Sequence, residues 1–170
     1  ISPMYDISNE ISYNNTMKQK TLPPNPEKEK NFCYKQSCWI DVKGLEKDTE
    51  AKNHFVEKQG EIVLKILEKA FSVSDSPNLF IISPFKSVVK EMITEIQESD
   101  LIRKYGGMKN KVLEWIEDTD KKRVGTVHTF QGKEADEVIV LLGCDKNSKG
   151  AVRWVNSNIV NVAATRAKYR

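Results

Sequence analysis

Long apolar runs are missing from this 170-residue chain. The longest, Val138-Ile139-Val140-Leu141-Leu142, falls far short of the roughly 20 residues a membrane-spanning helix needs, so no membrane partner is expected. The amino terminus has neither an initiator Met nor a basic region followed by an apolar signal core, and reads as a piece of a longer protein. Cysteine is scarce. Cys33, Cys38 and Cys144 are an odd number for a disulfide framework, and with only His54 and His128 beside them no zinc pattern is completed. No metal site is expected, and reduced thiols in a cytoplasmic protein are. An excess of charge is missing too: 27 Lys+Arg against 24 Asp+Glu give +3, too little to argue for nucleic acid by itself. No Gly-x-x-x-x-Gly-Lys-Ser/Thr segment occurs, so the chain carries no phosphate-binding P-loop. No Ser-His-Asp, Cys-His or paired-carboxylate set stands with a supporting frame, which argues against a self-contained hydrolase or transferase.

What is present is globular composition, 39% hydrophobic and 30% charged, in a length that fits one domain with an arm. Residues 1–31 are polar, hold Pro3, Pro23, Pro24 and Pro26, and read as a short helix and linker leading into a domain over 32–170. Ser37 to Val42 reads as a strand. Ile62/Val63, Ile66/Leu67 and Ala70/Phe71 then recur at helical spacing and predict a helix over 51–71. Asn78 to Ile82 predicts a strand, and Val88/Val89, Met92/Ile93 and Ile96 a second amphipathic helix. A shorter helix around Val112–Ile116, strands over 124–127 and 138–142, and a last helix over 159–167 complete the pattern. Strands alternating with helices argue for an α/β fold with a mainly parallel sheet covered on both faces. Ligands of such sheets collect at the carboxyl ends of the strands.

Two segments there carry chemistry. In Thr126-Val127-His128-Thr129-Phe130-Gln131-Gly132-Lys133-Glu134, a strand delivers hydroxyls, an imidazole and an amide to a glycine that permits close backbone approach, and Glu134 can accept hydrogen bonds from sugar hydroxyls. Taken alone, these are equally turn and cap residues. In Asn161-Val162-Ala163-Ala164-Thr165-Arg166-Ala167-Lys168, one guanidinium rises from small and apolar neighbours, suited either to bidentate phosphate contact or to a structural ion pair.

Together the two segments resemble motifs V and VI of superfamily I helicases, in the same order and about 30 residues apart. The branch they most resemble holds the nonsense-mediated-decay RNA helicase and its DNA-helicase relatives. Ile81-Ile82-Ser83-Pro84-Phe85-Lys86 is similar to that branch's motif IV, and Pro3-Met4-Tyr5 to the segment after motif III. The resemblance implies the second RecA-like domain of an ATP-dependent motor. Its first RecA-like domain would hold the P-loop and most of the contacts to Mg2+. By that resemblance Arg166 is the catalytic arginine finger, and Gly132, Glu134 and Gln131 join it at ATP. Thr126, His128 and Thr129, with Ser83 and Lys86, would meet a single strand of DNA or RNA, DNA being favoured. The chain departs from the family in having no Arg between Ser83 and Glu91. Lys86, or Arg153 from the Gly150–Trp154 loop, is the available substitute. This piece alone is expected not to hydrolyse ATP. The alternative is a degenerate helicase-like module that binds nucleic acid or protein without ATPase activity. Phe32, Tyr34, Trp39, Trp115 and Trp154 can stack on bases, although their apolar neighbours predict that most are core.

Overall fold

The computed structural model describes residues 3–47, 53–105 and 110–170. Three strands, β1 (Leu79–Ser83), β2 (Val124–Thr126) and β3 (Glu137–Val140), form a parallel sheet in the order β2-β1-β3. β1 is central, pairing Ile81 with Val124 on one side and Leu79 with Glu137 on the other. All five of its residues are buried, which is why it reads as an unbroken apolar run rather than an alternation. Its side chains divide between two cores: Leu79 and Ile81 enter one, Phe80 and Ile82 the other. The α/β expectation holds.

The first core is covered by α3 (Glu57–Val73), α4 (Lys86–Glu98), α5 (Asp100–Lys104) and α6 (Lys111–Glu117). The apolar stripe of α3 is the one its spacing predicts, with Val63, Ile66, Leu67, Ala70 and Phe71 buried. Trp115 fills the far end, its indole N–H donating to the Pro77 carbonyl at 2.9 Å. On the other face lie a 3-10 turn (Val127–Phe130) and α8 (Ser157–Ala164), which follows the short α7 (Lys149–Val152). Phe80 and Phe130 meet there with ring centroids 4.4 Å apart. The N-terminal α1 (Met4–Tyr13) packs on α8, burying Ser8 and Asn9. The linker is anchored as well: around α2 (Pro26–Glu29), Lys28 pairs with Asp136 at 2.8 Å and Glu29 with Arg170 at 2.8 Å.

Five sequence expectations need correction. Residues 37–42 are not a strand. A strand needs an edge to pair with, and the outer edge of β3 is taken by the chain's last residues, with Lys168 N donating to Ala135 and Val138 N to Arg170. Residues 37–45 instead help line a broad groove of about 1560 Å3. α3 begins at Glu57, after Val56 bridges to Glu46, while residues 51 and 52 lie outside the described ones. β2 stops at Thr126 because the chain coils into the 3-10 turn, and the last helix stops at Ala164. Of the five aromatics, only Phe32 and Trp115 are core; Tyr34 is exposed, and Trp39 and Trp154 are 85% and 62% exposed.

Candidate nucleotide and nucleic-acid site

β2 enters the 3-10 turn so tightly that a Cβ at Gly125 would lie 2.9 Å from the Thr129 side chain. This closeness sets the Thr126 and Thr129 hydroxyls 3.2 Å apart, one hydrogen-bonded to the other. His128 is exposed between them, and Phe130 turns inward to the core. Gln131, Gly132, Lys133 and Glu134 then form an exposed loop. Gly132 has φ +79°, and a Cβ there would meet nothing within 4 Å. Its left-handed backbone favours glycine, and the space above it is open to a ligand.

α8 is capped by Asn156, whose side chain accepts from Ile159 N at 3.1 Å. It delivers Arg166 to the foot of this loop. The guanidinium does not stand out in solvent: Nε donates to the Val162 carbonyl at 2.9 Å, Nη1 to Phe130 at 3.2 Å and Lys133 at 3.0 Å, and Nη2 to Thr165 Oγ1 at 2.9 Å. These bonds use four of its five N–H donors. Among the described residues no carboxylate pairs with it, so the structural ion pair that the sequence left open is not found there. Ala135 N donates to the Arg166 carbonyl at 3.0 Å, so backbone and side chain together join the two segments into one unit.

A cleft of about 300 Å3 opens at the carboxyl ends of β1 and β2, lined by Pro84, Phe85, Lys86, Thr126, His128 and Trp154. Three residues expected on the single strand, Lys86, Thr126 and His128, are thereby brought together. Thr129 touches the cleft through its bond to Thr126. Ser83 is only 1% exposed, and its hydroxyl accepts from Phe85 N at 3.2 Å, which makes it the turn residue beneath the cleft rather than part of its wall.

A family model described as AAA domain matches residues 2–170, almost the whole chain. The chain belongs to this family. Such domains occur in superfamily I helicases, so the helicase resemblance stands at family level, and the covered parallel sheet agrees with a RecA-like AAA fold. No curated protein matches the chain. No helix among the described residues is long and apolar enough to cross a membrane.

This AAA domain also holds a cluster that sequence reasoning missed. Donor atoms of Glu46, His54 and Cys144 lie within 4.8 Å of one another. His54 and Cys144 both have left-handed backbone, φ +58° and +63°, and are joined by a Cys144 N to His54 carbonyl bond of 2.7 Å. Nothing local in the sequence signals this, because Glu46 and His54 precede α3 while Cys144 lies far along the chain, after β3. Burial pushes the Glu46 carboxyl up, but bonds from Ser148, His54 and the Asp145 amide outweigh it and hold the group below its ordinary value. Glu46 is thus engaged as a strut between two loops. Burial, with Glu46 and Asp145 nearby, pushes the Cys144 thiol up to about 11. Burial and Glu137 push the Cys33 thiol up to about 12, so neither is a reactive thiolate near neutrality. Cys38 is exposed and free.

Proposed function

We propose that this chain is the second RecA-like domain of a superfamily I, ATP-dependent helicase or translocase. In this reading 32–170 is the domain, 1–31 leads into it, and a P-loop domain of the same protein completes the ATP site. The observation that carries the proposal is Arg166: a guanidinium with no carboxylate partner among the described residues, hydrogen-bonded to neutral carbonyls at the foot of an open glycine loop. A phosphate oxygen is a stronger acceptor for guanidinium than a carbonyl, so an arriving γ-phosphate draws Arg166 off Phe130 and Lys133. There it stabilises the charge developing in phosphoryl transfer. Gly132 and Gln131 approach the phosphates, and Glu134 accepts from the ribose. Glu134 is the one carboxylate among residues 131–134, too few acidic groups on this loop to hold magnesium, so acidic residues of the P-loop domain would hold it.

The same loop begins at the single-strand grip. Lys86, Thr126, His128 and Thr129 offer an ammonium, hydroxyls and an imidazole, which hold phosphate oxygens without reading sequence. Closure of the two domains on ATP pulls on Arg166, the loop and the 3-10 turn together. Hydrolysis reopens the cleft and moves the strand.

The test is oligonucleotide-stimulated ATP hydrolysis by the full-length protein that carries this chain. Arg166→Ala should reduce the rate about 10³- to 10⁵-fold with ATP binding retained. The 170-residue chain by itself should be silent. An Arg166→Ala protein as fast as wild type, or a full-length protein without ATPase activity, overturns the reading in favour of a binding module.

A further inference from the structure

Trp154 is 62% exposed, which is unusual for the largest apolar side chain, yet its backbone is held on both sides. Its amide donates to the Ala151 carbonyl at 3.0 Å, and its carbonyl accepts from Asn156 N at 3.0 Å, so the turn between α7 and α8 holds it over the 300 Å3 cleft. The walls of that cleft are chemically lopsided. Phe85, Pro84 and Trp154 supply flat apolar surface, Lys86 a cation, His128 an imidazole and Thr126 a hydroxyl, and no carboxylate lines it. Protein interfaces also set an apolar centre in a polar rim, so the polarity of this rim is not what discriminates; a cation and an imidazole with no acid among the lining residues select an anionic ligand. A planar group with apolar faces, carried on an anionic backbone, matches both halves of the cleft. The volume lies at the small end for ligand pockets, room for one nucleotide unit and not for a duplex.

We propose that Trp154 is a base-stacking platform for a single nucleotide of a single strand, with the adjoining phosphate on Lys86 and His128. The proposal rests on the reading of this domain as a nucleic-acid motor and adds to it a contact to the base itself. Stacking uses the face that every base has, so it adds affinity without sequence preference. It is also insensitive to salt, unlike the phosphate contacts beside it.

The experiment compares a fluorescein-labelled oligo(dT) with an abasic oligomer of equal length, by anisotropy on the full-length protein. Trp154→Ala should weaken oligo(dT) binding about 5- to 150-fold and leave the abasic oligomer unchanged. Trp154→Phe, which keeps an aromatic face, should recover most of the loss. Equal weakening of both oligomers, or no weakening of either, overturns the stacking role while leaving the single-strand reading intact. Wild-type protein that binds neither oligomer overturns both.

Discussion

Nη1 of Arg166 donates to the Phe130 carbonyl across 36 residues of chain, and to the Lys133 carbonyl on the far side of the same loop. Phe130 is anchored in the core against Phe80, whereas Lys133 sits on the exposed loop beside Gly132. One guanidinium therefore ties a fixed point to an open one. Drawing it away removes one tie of the loop that the nucleotide is proposed to meet and leaves the Lys133 N to Phe130 carbonyl bond of 2.9 Å, so this side chain links ligand binding to loop order.

Arg166→Ala should accordingly loosen residues 130–134 before it affects the rest of the domain. The expected outcome is faster amide hydrogen exchange across this loop, with a loss of about 0.5 to 1.5 kcal/mol in global stability from the lost hydrogen bonds, since the Phe130 carbonyl still accepts from Lys133 N and the Lys133 carbonyl is open to water. Arg166→Lys keeps the charge but lacks the fork that bridges two carbonyls, and should restore little of the protection. Unchanged exchange in Arg166→Ala would show that the loop is ordered without it.

Much of this architecture is legible in the sequence, because β1 and the stripes of α3 and α4 are strong periodic or continuous apolar signals that tertiary contacts only confirm. Residues 37–42 have strand composition, but residues 168–170 take the outer edge of β3 beside residues 135–138, and composition does not report which edges are taken. Trp154 sits among Ala151, Val152 and Val155 in the chain, which reads as core, yet these neighbours lie on a short surface helix and turn. Motif order marks Arg166 as chemically important. Its carbonyl partners depend on the path of a loop 33 residues away, which no local pattern encodes.

Two glycines with left-handed backbone should respond differently to alanine. At Gly143 a Cβ would lie 2.4 Å from the His54 carbonyl oxygen and 2.7 Å from Val88, with φ +66°. Overpacking and backbone strain add there, and Gly143→Ala should cost about 3 kcal/mol or more. Gly132→Ala meets no neighbour, so only strain remains, about 1 kcal/mol. Thermal denaturation of the two variants should separate them clearly. A loss of ATP affinity in Gly132→Ala larger than its stability loss would measure how closely the nucleotide approaches this backbone.

Glu137 gives the fold a pH dependence of defined sign. Burial raises its carboxyl, opposed by the Cys33 amide that donates to Oε1 at 2.9 Å and by Arg170, while Asp136 raises it further. A raised native value means that the folded chain holds this proton more tightly than the unfolded chain does. The stability that the proton confers is fully present below the ordinary carboxylate value and is lost as pH rises through the native value. Glu137→Gln keeps the acceptor for Cys33 and removes the half-buried charge. Its melting temperature should exceed wild type at pH 7, and the gain should vanish in acid once Glu137 is protonated in both states. A gain that persists into acid would trace instead to packing.

Lys86 separates electrostatic grip from stacking. It is exposed at the start of α4, and no ion pair holds it among the described residues, so its ammonium is available to a phosphate at the mouth of the cleft. Neutralising one phosphate of a single strand releases the counterion condensed there, and each such contact steepens the dependence of log affinity on log salt by about 0.7. Lys86→Ala should therefore weaken single-strand binding at low salt and flatten that slope by about 0.7, with little effect at high salt. Trp154→Ala should shift the whole line downward with its slope unchanged. If Lys86→Ala leaves the slope as it is, the ammonium makes no phosphate contact, and the cation of this grip must be sought elsewhere, first at Arg153 on the loop that carries Trp154.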